Sequence, residues 1–73
     1  MFDYSILRGK MAERAISVPE LANRLHMTKP SLYARLNGEI AFRDIEIVEI
    51  CKVLDIPDNE VNRYFFTLKV KEA

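Results

Sequence analysis

One cysteine, one histidine and two glycines are all that this chain of 73 residues holds of three residue types on which many chemical sites depend. The lone Cys51 excludes an internal disulfide, in keeping with a reducing compartment. Cys51 and His26 stand far apart with no metal-ligand spacing, so neither a metal nor any other cofactor is expected. Gly9 and Gly38 cannot form a glycine-rich phosphate loop, and no nucleophile-base pair or convergent carboxylates are visible, so an enzyme is not expected. Long apolar runs are lacking as well. None approaches the roughly 18 residues that span a bilayer, and the start lacks a basic-then-apolar signal layout, which leads us to expect a cytoplasmic protein with no membrane partner. There is no repeat, no low-complexity stretch and no Pro/Gly/Ser linker, so residues 1–73 are expected to form a single domain.

Neither sign of charge dominates: 11 Lys and Arg stand against 11 Asp and Glu. Phosphate neutralisation supplies most of non-specific DNA affinity, so a net charge of zero by itself argues against a nucleic-acid partner. The distribution argues the other way. Residues 1–43 hold seven bases and four acids, a surplus of three, and residues 44–73 carry the matching deficit. A basic binding half joined to an acidic supporting half has this form. The chain is 49% hydrophobic and 30% charged, the balance of a globular protein. A chain this short buries only roughly 60% of its unfolded surface, so a partner subunit would add stability.

The periodicity predicts an all-α fold of four to five short helices. The first spans about Tyr4 to Ala15, with Leu7 and Met11 inward. Ser17 and Glu20 read as a capping box with Pro19 in the first turn, opening a second helix to about Leu25 that buries Leu21, Ala22 and Leu25. Thr28 is a good N-cap and Pro30 falls in another first turn, so a third helix starts almost at once and ends at Asn37-Gly38, with Leu32 and Leu36 inward. Two short helices joined by a tight turn are the spacing of a helix-turn-helix. A fourth helix from about Arg43 to Leu54 places Ile47, Ile50, Cys51 and Leu54 on one face, with Asp44 and Glu46 at its positive end. A fifth runs from Asp58 to about Phe65. Beyond it Val61, Phe65 and Leu68 fit a helical face, whereas Phe66, Leu68 and Val70 alternate like a strand; the expectation is a helix ending near Phe66 and then an extended tail. Ile45, Val48 and the aromatic run Tyr64-Phe65-Phe66 exceed what one small core needs. They suit a subunit contact, although burial within a five-helix domain is the favoured expectation.

In a helix-turn-helix the second helix enters the major groove of double-stranded DNA. With Leu32 and Leu36 inward, Pro30, Ser31, Tyr33, Ala34 and Asn37 face outward and Lys29 and Arg35 lie on the flanks. Asn37 suits adenine, Ser31 and Tyr33 suit bases or phosphates, and Ala34 suits a thymine methyl. Lys29, Arg35 and Arg43 suit phosphate. The caps Ser17 and Thr28 complete the candidate DNA-binding set. Each of these residues also has an ordinary role at a helix end or a solvated face. His26 in the turn and Cys51 on an apolar face are expected to be structural.

The run from Ser17 to Gly38, with Glu20-Leu21-Ala22, the turn His26-Met27, the cap Thr28 and the closing Asn37-Gly38, resembles the phage Cro and lambda-repressor-like helix-turn-helix family. Phe42, Ile47, Ile50, Leu54 and Ile56, then Tyr64-Phe65-Phe66, extend the resemblance from Leu7 to about Val70. It implies a compact domain that binds operator DNA, commonly as a homodimer on a palindromic site, in a prophage switch. Val18 stands where the family often has a phosphate-contacting glutamine, His26 where it usually has glycine, and Pro30 and Ala34 where Gln, Arg or Ser are common. These departures raise a second expectation: an antirepressor, or modulator, that binds a partner repressor protein instead of DNA, since an apolar, weakly basic face suits a protein surface.

Overall fold

The computed structural model describes residues 2–69 and is all-α. Among these residues lie α1 (Ser5–Glu13), α2 (Val18–Arg24), α3 (Lys29–Leu36), α4 (Asp44–Leu54) and, after a 3-10 turn at Asp58–Glu60, α5 (Val61–Phe65). Ser17 and Thr28 cap α2 and α3 as their side chains predict: each oxygen accepts an amide, from Glu20 N and Ser31 N, at 3.3 Å. The reciprocal half of the expected capping box is replaced, because the Glu20 carboxylate accepts from Arg24 Nη2 at 3.3 Å.

Helix closure follows one device four times. Ala15, His26, Gly38 and Asp55 take positive φ of 55°, 55°, 80° and 57° after α1, α2, α3 and α4. The amide of the following residue then returns to a carbonyl of the last helical turn: Ile16 to Met11, Met27 to Ala22, Glu39 to Ala34 and Ile56 to Cys51, each at 2.9 Å. α1 therefore ends at Glu13, short of the expected Ala15, because Ala15 itself makes the left-handed turn. A side chain in that conformation costs about 1–2 kcal/mol relative to glycine.

The core is built from Tyr4, Leu7, Met11, Leu21, Ala22, Leu32, Leu36, Ile50, Leu54, Ile56, Tyr64 and Phe65. Leu25, Ile47 and Cys51, expected inside, are half-buried against it. Tyr4, Phe42 and Phe65 stack edge to face at centroid separations of 5.1 and 5.5 Å, which ties both ends of the chain to the loop after α3. Asp3 N donates to Thr67 O at 2.7 Å, and Phe2 and Leu68 form an antiparallel bridge. The segment after α5 is thus extended. Leu68 does not continue a helical face; it is 68% exposed, whereas Phe65 is buried. Val70 and Lys71 of the expected tail lie outside the described residues.

The favoured expectation for the surplus apolar residues holds only in part. Tyr64 and Phe65 are buried, but Ile45, Val48 and Phe66 remain about half exposed, because α4 turns only its Ile50 and Leu54 face fully inward and Phe66 points away after α5 ends. No helix among the described residues is long and apolar enough to cross a membrane.

Candidate nucleic-acid interface

α3 is held from below by Leu32 and Leu36, which are buried, and packs against α2. Its outer side is left open. Thr28, Lys29, Pro30, Tyr33 and Asn37 are exposed, while Ser31 and Ala34 are half-buried. The turn before it is tight because His26, with φ of 55°, reverses the chain in a single residue. His26 thus performs the backbone task of the glycine that the helix-turn-helix resemblance leads one to expect.

Arg35 departs from expectation. Expected on a flank facing phosphate, its guanidinium is instead enclosed: Nε donates to Glu46 Oε1 at 2.8 Å, and Nη1 donates to Ser31 Oγ at 2.7 Å and to Ser31 O at 3.0 Å. The two ionised side chains are only 11% and 9% exposed. The same Glu46 oxygen accepts Arg43 N, the N-cap amide before α4, at 2.8 Å. One carboxylate therefore clamps α3 to the start of α4. An enclosed cation that already has an acid partner is not free to neutralise phosphate. The signal for this was present in the sequence, since Ser31 and Arg35 are one turn apart and Glu46 occupies the third position of α4, but the pairing spans two helices.

The remaining cations sort by partner. Lys10, Arg14, Arg24, Lys52 and Arg63 each pair with an acid at 3.1–3.8 Å on the surface. Arg8 Nη2 donates to Asn37 Oδ1 at 3.0 Å. Lys29 and Arg43 make no ion pair among the described residues, and both are exposed. One stands at the first residue of α3 and the other at the head of α4.

These side chains group into distinct surfaces. Thr28, Ser31, Arg35 and Arg43 line one open groove of about 390 Å³ between the helix turn and α4. Asn37 faces a second hollow with Arg8. Ser17 belongs to a third, beside Ile16 of the preceding turn and Val18, the first residue of α2. Tyr33 is 43% exposed and projects from the open face of α3. Arg8 is the residue that sequence reasoning missed: it belongs to α1, not to the helix pair from which the candidate set is drawn.

Cys51 is half-buried, and its thiol is pushed above the usual range by burial and then by the negative charge of Asp58. Such a thiol holds little thiolate at neutral pH. Burial likewise raises the Tyr4 hydroxyl. Among the described residues no group of three or more His, Cys, Asp or Glu side chains could hold a metal ion.

Fold and site together define a small all-α domain that presents a short exposed helix, α3, joined to α2 by a tight turn. The chain belongs to the family described as Protein of unknown function (DUF739), whose model matches residues 1–68. No curated protein matches it in sequence.

Proposed function

We propose that this protein is a sequence-specific, DNA-binding transcriptional regulator of the Cro-like kind, working in the cytoplasm with α3 in the major groove of operator DNA, as a homodimer where the site is palindromic. The observation that carries the reading is the pair of cations without an ion pair, Lys29 at the first residue of α3 and Arg43 at the head of α4, beside an exposed α3 whose underside is buried. Exposed cations next to such a helix suit the phosphates that border a groove. The buried Arg35–Glu46 pair supports the same reading, because a helix that reads base edges must keep its orientation.

A second reading, an antirepressor that docks on a partner repressor, draws on a specific observation. With Arg35 withdrawn inside, Pro30, Tyr33 and Ala34 offer an uncharged surface on α3 with only Lys29 as its exposed cation. A protein surface accepts such a face more readily than phosphate does.

A binding titration of the full chain against duplex DNA at rising salt separates the two. The DNA reading expects log K to fall linearly with log salt, with a slope of about 2 per protomer if Lys29 and Arg43 each neutralise one phosphate. Lys29→Ala should weaken binding to every sequence alike and lower that slope by about 1. A shift that arises only in the presence of a partner repressor, with no salt-dependent binding to DNA alone, favours the second reading and removes the first.

A further inference from the structure

We infer that α3 meets its ligand through hydrogen-bond donors, so that, granted the DNA reading above, it recognises acceptors: guanine N7 and O6 or phosphate oxygens, and not the amino groups of adenine or cytosine. The inference rests on which internal groups already hold the oxygen atoms of the polar side chains along α3.

Asn37 is the decisive residue. An asparagine reads adenine by accepting from the N6 amino group while donating to N7, which requires its Oδ1 to face the base. Here that oxygen faces Arg8, whose Nη2 donates to it at 3.0 Å. A guanidinium has donors only, so the amide oxygen must take this side and the NH2 must take the other. What Asn37 has left to present is a pair of donors. Ser31 follows the same logic: its Oγ accepts from Arg35 Nη1 at 2.7 Å, and the hydroxyl hydrogen is left to donate. The Thr28 Oγ1 accepts the Ser31 amide at 3.3 Å. Lys29 is a donor by constitution. A second lone pair remains on each oxygen, but a DNA amino group approaching Asn37 would come up beside the Arg8 guanidinium and meet its positive field, whereas a base or phosphate acceptor is drawn to it.

Arg8 is thus a positioning residue. Placed on α1, it sets the polarity of Asn37 through this hydrogen bond. The sequence-based expectation that Asn37 suits adenine is revised by this contact.

The test selects preferred sites for the full chain from a random duplex library and locates the position whose preference Asn37→Ala abolishes. The expected base there is guanine. Replacing it with 7-deazaguanine, which lacks the N7 acceptor, should cost about tenfold in affinity for the unaltered protein and nothing further for Asn37→Ala. If the Asn37 amide meets the backbone instead, 7-deazaguanine is silent and a neutral methylphosphonate at one linkage produces the loss; this also supports a donor face. Arg8→Met, at an exposed position that leaves the core intact, should turn the preference toward adenine by releasing Oδ1, and Arg8→Lys should retain the original base. The inference is overturned if that position selects adenine or cytosine and loses affinity when the exocyclic amino group is deleted, or if Arg8→Met leaves the preference unchanged at a position that is sensitive to 7-deazaguanine. If no duplex in the library is bound in a salt-dependent way, the DNA reading fails and the inference falls with it; a bound duplex that needs an amino group refutes the inference alone.

Discussion

The α2–α3 pair and the terminal layer of this domain are organised on opposite principles. α2 and α3 each begin at a side-chain cap and a first-turn proline, so their boundaries are set by neighbours in the chain. The terminal layer consists of Phe2 to Tyr4, Phe42 and the segment from Phe65 to Leu68, residues far apart in sequence that meet through ring stacking, the Asp3–Thr67 hydrogen bond and the Phe2–Leu68 bridge. The first region is encoded locally and stands exposed; the second exists only once the chain has closed on itself. A local cap contributes about 1 kcal/mol, whereas a buried aromatic contributes several, so the exposed helix depends on the distant layer more than on its own caps.

Substitutions can break that comparison in order of size. Phe65→Ala removes the ring at the centre of the terminal layer and should cost about 3–5 kcal/mol in urea unfolding. For a domain this small that is most of the stability expected, so the variant should be largely unfolded near 37 °C. Glu46→Ala, at the link between α3 and α4, strands the Arg35 cation and the Arg43 amide and should cost about 3 kcal/mol. Arg35→Met combined with Glu46→Leu should recover most of that loss; an equal loss in the double variant would mean that the pair acts through packing rather than charge.

Thr28→Ala should cost only about 1 kcal/mol, confined to the start of α3 and visible as faster amide exchange at Ser31. A cost comparable to that of Phe65→Ala would erase the distinction between local and long-range regions. The smallest effect belongs to Asp3. Its carboxylate is held below its ordinary value chiefly by the backbone N–H of Ser5, and then by the Ser5 side chain. A depressed folded value stabilises the protein above the unfolded pKa of 3.8 and loses that contribution as the pH falls through the folded value. The melting temperature of Asp3→Asn should therefore fall less steeply below about pH 4 than that of the unaltered protein.

Much of this was legible in the sequence. Ser17, Pro19, Thr28, Pro30 and Gly38 mark helix ends through chemistry that acts within one turn, and the observed boundaries fall within a residue or two of those marks. The closures at Ala15, His26 and Asp55 were not, because none of these residues carries glycine's freedom at positive φ and only the packing around them makes the turn obligatory. Within the candidate interface, the span of α3 and the exposure of Lys29, Tyr33 and Asn37 followed from periodicity. The enclosure of Arg35 and the contact of Arg8 with Asn37 did not, since each joins side chains on different helices.

By itself the sequence determined an all-α chain, the placement of its helices and the face of α3 that looks outward, because caps, prolines and apolar spacing act through bonds and neighbours close along the backbone. The tertiary structure alone decided which cations stay free, which way Asn37 presents its amide, and which surplus apolar residues remain uncovered. Those outcomes depend on distances between helices, and a hydrogen bond or an ion pair forms only where folding brings a donor within about 3 Å of its acceptor.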